Sequence, residues 1–222
     1  MAFLKTNSVD ITVDEHTYNS LDDFGLAIHN TDYIGHPIRN EHYSFVPGRN
    51  GPIDYTDVFG GPSFQYRTIL IEFGGQQVPE DWDTWISGFR NLFEGKEVKL
   101  EFATDPGWYY SGRVSIQDFA HKRAIGEFTF AIEKAYPFKQ KDVELTATAT
   151  SAGVTVSAAV TRQTVVPEIN CANAITITTG GMTYNFSPGT SKNPELRLTA
   201  GTHSLVVKGS GSVKIRYKDG SL

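Results

Sequence analysis

Residues 79–102 read PEDWDTWISGFRNLFEGKEVKLEF, and a change of period inside them decides the fold. Trp82, Trp85, Ile86, Phe89, Leu92 and Phe93 recur at steps of three and four. That spacing lines up one face of an α-helix, so a helix is predicted over about 79–94 with these six residues as its core stripe. Pro79 sits near its first turn, Glu80, Asp81 and Asp83 complement the positive end of the helix dipole, and Gly95-Lys96 closes it. From Glu97 the period drops to two, as in a strand. A helix this apolar on one side must lie on a sheet.

The neighbouring segments supply that sheet. QYRTILIEF (65–73), WYYSGRVSI (108–116) and IGEFTFAIEK (125–134) alternate as strands, and DPG at 105–107 is a turn. Residues 2–13 read as one or two further strands, and 19–27 as a turn leading to a short element. The stretch 28–45, IHNTDYIGHPIRNEHYSF, is polar, aromatic and punctuated by Gly and Pro, which marks an excursion or long hairpin. It runs into VPGRNGPIDYTD (46–57). As an anion cradle this loop lacks the strand–loop–helix order that phosphate sites use. As a turn it is economical: Asn50 and Gly51 tolerate positive φ, and Pro47 and Pro52 interrupt the ladder on either side.

At AYPFKQKD (135–142) the chain changes character. All three tryptophans lie before it; after it come short Thr-, Ala-, Val- and Ser-rich runs, VELTATAT, VTVSAAV, AITITT, GMTYNF, LRLT, HSLVVKG and SVKIRYKDG. Seven such runs with Gly and Pro punctuation form a small antiparallel sandwich. Two units follow, 1–137 and 138–222. The first holds 11 Lys+Arg against 20 Asp+Glu, a net of −9, and the second holds 9 against 5, a net of +4. Two oppositely charged units have different neighbours.

The overall charge of −5 disfavours general nucleic-acid binding. The single cysteine, Cys171 in EINCANAITI, excludes an internal disulfide and reads as a small buried hydrophobe. No apolar run approaches the length of a membrane span, and no secretory signal is visible, so cytoplasmic synthesis is expected. No nucleotide, nucleophile-elbow, zincin or calcium-loop motif appears, so no cofactor, metal or catalytic residue is assigned. His29, His36 and His42 are spaced by seven and six, which suits solvated loop residues better than ligands. Asp54 and Asp57 are the carboxylate pair to test for a glycoside hydrolase. Sugar-binding faces usually pack a ring on an exposed tryptophan or tyrosine; beyond the linker there is no tryptophan, and Tyr184, Phe186 and Tyr217 are the aromatic candidates for such stacking in a carbohydrate-binding role.

Taken in order, several stretches resemble the distal tail protein (Dit) family of long-tailed bacteriophages. They are PGRNG followed by a strand, WxxWIxxFxxLFxGKxVxLxF (82–102), DPGWYYSGRV (105–114), GEFTFAIEKAYPFK (126–139) and the closing GTHSLVVKGSGSVKIRYKDGSL (201–222). The resemblance covers nearly the whole chain, with 14–41 fitting least. It implies a mainly β protein: an N-terminal tail-tube-like β-sandwich or split barrel with one flanking helix, then a galectin-like antiparallel β-sandwich. It further implies a structural, non-enzymatic hub in the virion, a homo-hexameric ring assembled in the bacterial cytoplasm. Its neighbours would be the tail-tube protein, a tail-associated or tail-tip protein and a receptor-binding protein, with DNA only as cargo in the lumen. On this reading the 28–45 excursion is an arm toward a neighbouring subunit, and Tyr33, His36, Arg39 and Arg49 are its candidate interface residues. The competing readings are a carbohydrate-binding module or adhesin, a tail-tube subunit and a hydrolase.

Overall fold

A computed structural model of the chain describes residues 7–30, 34–56, 58, 62–76 and 81–222. The chain divides into Met1–Pro137 and Phe138–Leu222, a cut that falls inside AYPFKQKD. It is mainly β, with a long helix in the first unit only among the described residues.

The first unit carries β1 (Val9–Val13), β2 (His16–Asn19), β3 (Ala27–Ile28), β4 (Tyr43–Ser44), β5 (Ile53–Asp54) and β6 (Arg67–Gln76). Helix α1 (Trp82–Phe93) follows, then β7 (Glu97–Phe102), β8 (Tyr109–Arg113), β9 (Ser115–Lys122) and β10 (Ile125–Ala135). One antiparallel sheet orders its strands β8-β7-β1-β2 and a second β3-β6-β10-β9. Strand alternation fills the core: Val9, Ile11 and Val13 of β1 and Ile69, Ile71 and Phe73 of β6 are buried, with Asp10, Thr12, Leu70 and Glu72 between them on the other face. The 105–107 turn is present, with Trp108 N donating to Asp105 O at 3.3 Å.

Helix α1 is the part of this unit most directly dictated by sequence. Trp82, Ile86, Phe89 and Phe93 are buried, while Trp85 and Leu92 are partly buried against the same core. Phe89 meets Phe24, Phe93 and Phe128 at ring distances of 5.0, 4.7 and 5.2 Å. Each phenylalanine so buried contributes about 1.5–3 kcal/mol. Trp82 lies over β9 and β10, with Phe119 at 5.8 Å and His121 stacked at 6.2 Å. Its indole comes so close to Gly126 that a Cβ there would sit 2.5 Å from the ring, so only glycine fits. The described helix begins after Asp81, which makes no side-chain cap, and Pro79 and Glu80 lie outside the described residues. It ends where Glu94 leaves helical geometry and its carboxylate accepts Ile116 N at 2.8 Å.

The second unit carries β11 (Lys139–Ala149), β12 (Val154–Val160), β13 (Glu168–Cys171), β14 (Ile175–Thr179), β15 (Met182–Phe186), β16 (Gly189–Lys192), β17 (Gly201–Gly209) and β18 (Gly211–Ser221). They form antiparallel sheets ordered β16-β13-β18-β11 and β12-β17-β14-β15. Ile169, Ile177, Leu196, Leu198, Leu205 and Val207 are fully buried in the core of this unit. Cys171 is buried, its Sγ–H donating to Ser187 O at 3.1 Å, and burial pushes the thiol pKa up.

Two details of this unit differ from the sequence expectation. LRLT (196–199) is not a strand: Leu196 N closes a turn on Asn193 O, and Leu198 only bridges Val165. Its alternating leucines plug the core from a loop. Conversely GTSK (189–192) is a strand, fully exposed on the β16 edge and therefore without any apolar period to betray it.

Candidate functional site

Between β3 and β6 the chain leaves the sheet and returns as an irregular arm. Its base is pinned by the Ile34–Ile69 bridge and by Gly35 N donating to Thr68 O at 2.8 Å. Further out, Gln65 N donates to Ile38 O at 2.8 Å and Asn40 N to Ser63 O at 2.9 Å, and Arg39 bridges Phe64. The legs pair once more where β4 meets β5, Tyr43 opposite Asp54 and Ser44 opposite Ile53. The described residues of the excursion thus form a long hairpin, with 53–56 and 62–66 returning along the 28–45 stretch singled out in the sequence.

The tip is wider than a two-residue Asn-Gly link. Arg49 N donates to Val46 O at 3.1 Å, and Gly48 has φ of 83°. Pro47 and Gly48 at the two central positions make a type II turn, whose third residue needs positive φ. Gly51 also has positive φ, 81°, but Asn50 does not, so the expected two-residue turn at Asn50 and Gly51 is replaced by one centred on Pro47-Gly48. Asn50 tolerates the left-handed region but the proline presets the bend two residues earlier.

The arm exposes what a core would hide. Ile38, Tyr43, Phe45, Val46, Tyr55 and Val58 are exposed along it and Tyr66 at its base, with Phe45 at 81%. Most of the large exposed hydrophobics among the described residues lie on this one element. An apolar set clustered on a protruding element is the signature of a contact surface. Of the interface residues named from sequence, His36, Arg39 and Arg49 are all exposed on the arm, and Tyr33 lies outside the described residues. The apolar members were missed, although YSFV (43–46) between two polar stretches was the available signal.

The chemistry of the arm is that of a turn. Asp54 accepts Thr56 N at 2.8 Å, and the hydrogen bonds from Thr56 hold its carboxyl below its ordinary value. A general acid needs the opposite shift, and Asp57 lies outside the described residues. Glu41, and then Asp54, raise the phenol of Tyr43. His29 stands 3.7 Å from Glu72 while His36 and His42 are on the arm, and among the described residues no group of three side chains is placed to hold a metal. In the second unit Tyr184, Phe186 and Tyr217 are buried in the core, and the Tyr217 hydroxyl donates to Ala159 O at 2.8 Å. None of the three is an open stacking platform.

No protein-family model matches the chain, and no curated protein sequence does. Its fold, however, is one found in the tail hubs of bacteriophages. Among the solved structures it is similar to is that of SPP1 Dit (gp 19.1), a paradigm of the hub adsorption apparatus in phages infecting Gram-positive bacteria. The two superpose with a TM-score of 0.63 over 96% of this chain and 99% of that one, at 14% sequence identity. The fold resemblance expected from the order of the sequence motifs is therefore present across both units.

Proposed function

We propose that the chain is a distal tail hub protein of a long-tailed phage, a structural component that closes into a ring, with six copies expected. The observation that carries this reading is the shared fold with a hub protein over nearly the full length of both chains. The exposed apolar arm supports it, because a ring needs head-to-tail contacts in which one surface of each copy meets a different surface of the next. In this reading Phe45 and Tyr43 anchor the arm on the neighbouring copy, and His36, Arg39 and Arg49 form its polar rim. The ring then joins the tail tube to tail-tip and receptor-binding proteins in the virion, and DNA passes through its lumen. The net charge of −9 on the first unit fits a surface past which DNA slides without adhering.

Native mass spectrometry and negative-stain imaging of the purified chain and of tail particles test the proposal. Closed rings are expected. A strict monomer at all concentrations, with no ring in the particles, would refute it, and stacked tubes would favour a tail-tube subunit.

A further inference from the structure

A cleft of about 610 Å³ in the second unit lies on the outer face of the β16-β13-β18-β11 sheet. Its volume is in the range of small-ligand sites. Its floor is built by register. Glu144 stands opposite Arg216, Arg216 opposite Glu168, and Glu168 opposite Lys192, so one row across four strands alternates carboxylate and cation. All four outward side chains line the cleft. Arg216 Nε donates to Glu144 Oε2 at 2.6 Å and Lys192 Nζ lies 3.7 Å from Glu168 Oε2.

This row says what the cleft can hold. The lining carries as many carboxylates (Asp142, Glu144, Glu168) as cations (Lys192, Arg216, Lys218), so it offers no net field to a polyanion or polycation. A peptide strand would need open ladder positions. However, β18 and β13 in the floor are hydrogen-bonded on both sides, so their backbone groups are spent. What remains is a set of donors and acceptors alternating at the spacing of adjacent strands. A hydroxyl suits this pattern because it donates to a carboxylate and accepts from a guanidinium or ammonium at once. We propose that the cleft binds a neutral oligosaccharide lying across the strands, held by hydroxyl contacts to Glu144, Arg216, Glu168 and Lys192. Recognition by hydrogen bonds without a stacking ring makes single-site binding weak, and several copies on one particle would raise it by avidity.

Calorimetric titration of the full chain with maltohexaose, cellohexaose and the hexamer of N-acetylglucosamine tests this, with oligoglutamate and oligolysine peptides as charged counterparts. Saturable binding of a neutral probe is expected, insensitive to added salt and weakened roughly tenfold or more in Glu168→Gln and Arg216→Lys. Both substitutions are on an exposed face, and a thermal melt verifies that the variants fold. The inference is overturned if no neutral probe binds, if only a charged peptide binds, or if binding survives both substitutions in folded protein. Ring formation is read separately, so failure here leaves the hub reading standing, and the reverse also holds.

Discussion

Helix α1 and the arm lie in the same unit and are similarly rich in aromatic and aliphatic residues, yet they place them in opposite ways. On the helix, Trp82, Phe89 and Phe93 are buried, Phe89 packing on Phe93 and Phe128 and Trp82 on Trp85 and Phe119. On the arm, Tyr43, Phe45 and Val58 face outward. The difference lies in backbone accounting. The helix satisfies its own amides and can lie on a sheet, burying Trp82, Ile86, Phe89 and Phe93 fully and Trp85 and Leu92 in part. Beyond its base, the described backbone pairs of the arm run largely between its own two legs, and its large apolar side chains are left exposed. Composition alone does not separate a core from an interface; which surface the element can reach does.

The contrast is broken most severely by Trp82→Ala. Removing a fully buried indole should cost roughly 3–5 kcal/mol, read as a lower midpoint in denaturant unfolding. A change below about 1 kcal/mol would mean that the helix is not seated on β9 and β10 and that the two regions differ less than described.

Next is Gly126→Ala. A methyl group there overlaps the Trp82 ring, and overpacking of this kind costs about 1–3 kcal/mol. In the Trp82→Ala background the same substitution should be nearly neutral, because the clashing partner is gone. A double-mutant cycle measures that coupling, and additivity would show that the indole does not lie where it is placed.

These two positions also show what was readable beforehand. The stripe from Trp82 to Phe93 was legible because helix periodicity survives in the sequence, whereas its contact with Gly126 was not, since the two are far apart in the chain. Strands with one buried face, such as QYRTILIEF, were legible for the same reason. GTSK was invisible because an exposed edge strand has no period, and LRLT misled because buried leucines in a loop imitate one. At the candidate site, the polar excursion announced an arm, but the identity of its outward face required the fold. Phe45 looks like a core residue in sequence, and only the pairing of 43–44 with 53–54 puts it outside.

A smaller effect is expected at the tip. Gly48→Val forces a β-branched residue into positive φ and should cost about 1–2 kcal/mol or be absorbed by a reshaped tip. In the second case the melt is unchanged but the arm alters its contacts, and ring yield falls while stability holds. A variant with unchanged stability and unchanged ring yield would put the type II turn at Val46–Arg49 in error.

The least effect on the folded chain should come from Phe45→Asp, and this variant sharpens the comparison most. An exposed side chain with no core contact changes stability by no more than about 0.5 kcal/mol when replaced. If the arm anchors on a neighbouring copy, the same substitution places a charge in an apolar contact and should convert rings to monomers in native mass spectrometry. Trp82→Ala is its counterpart: it loses stability first and assembly only as a consequence. A Phe45→Asp protein that melts as before and still forms rings would remove the arm tip from the interface, leaving its exposed apolar residues without the role argued for them. A protein that loses rings at constant melting temperature would separate the two aromatic sets by function, one holding the chain together and the other holding it to its neighbour.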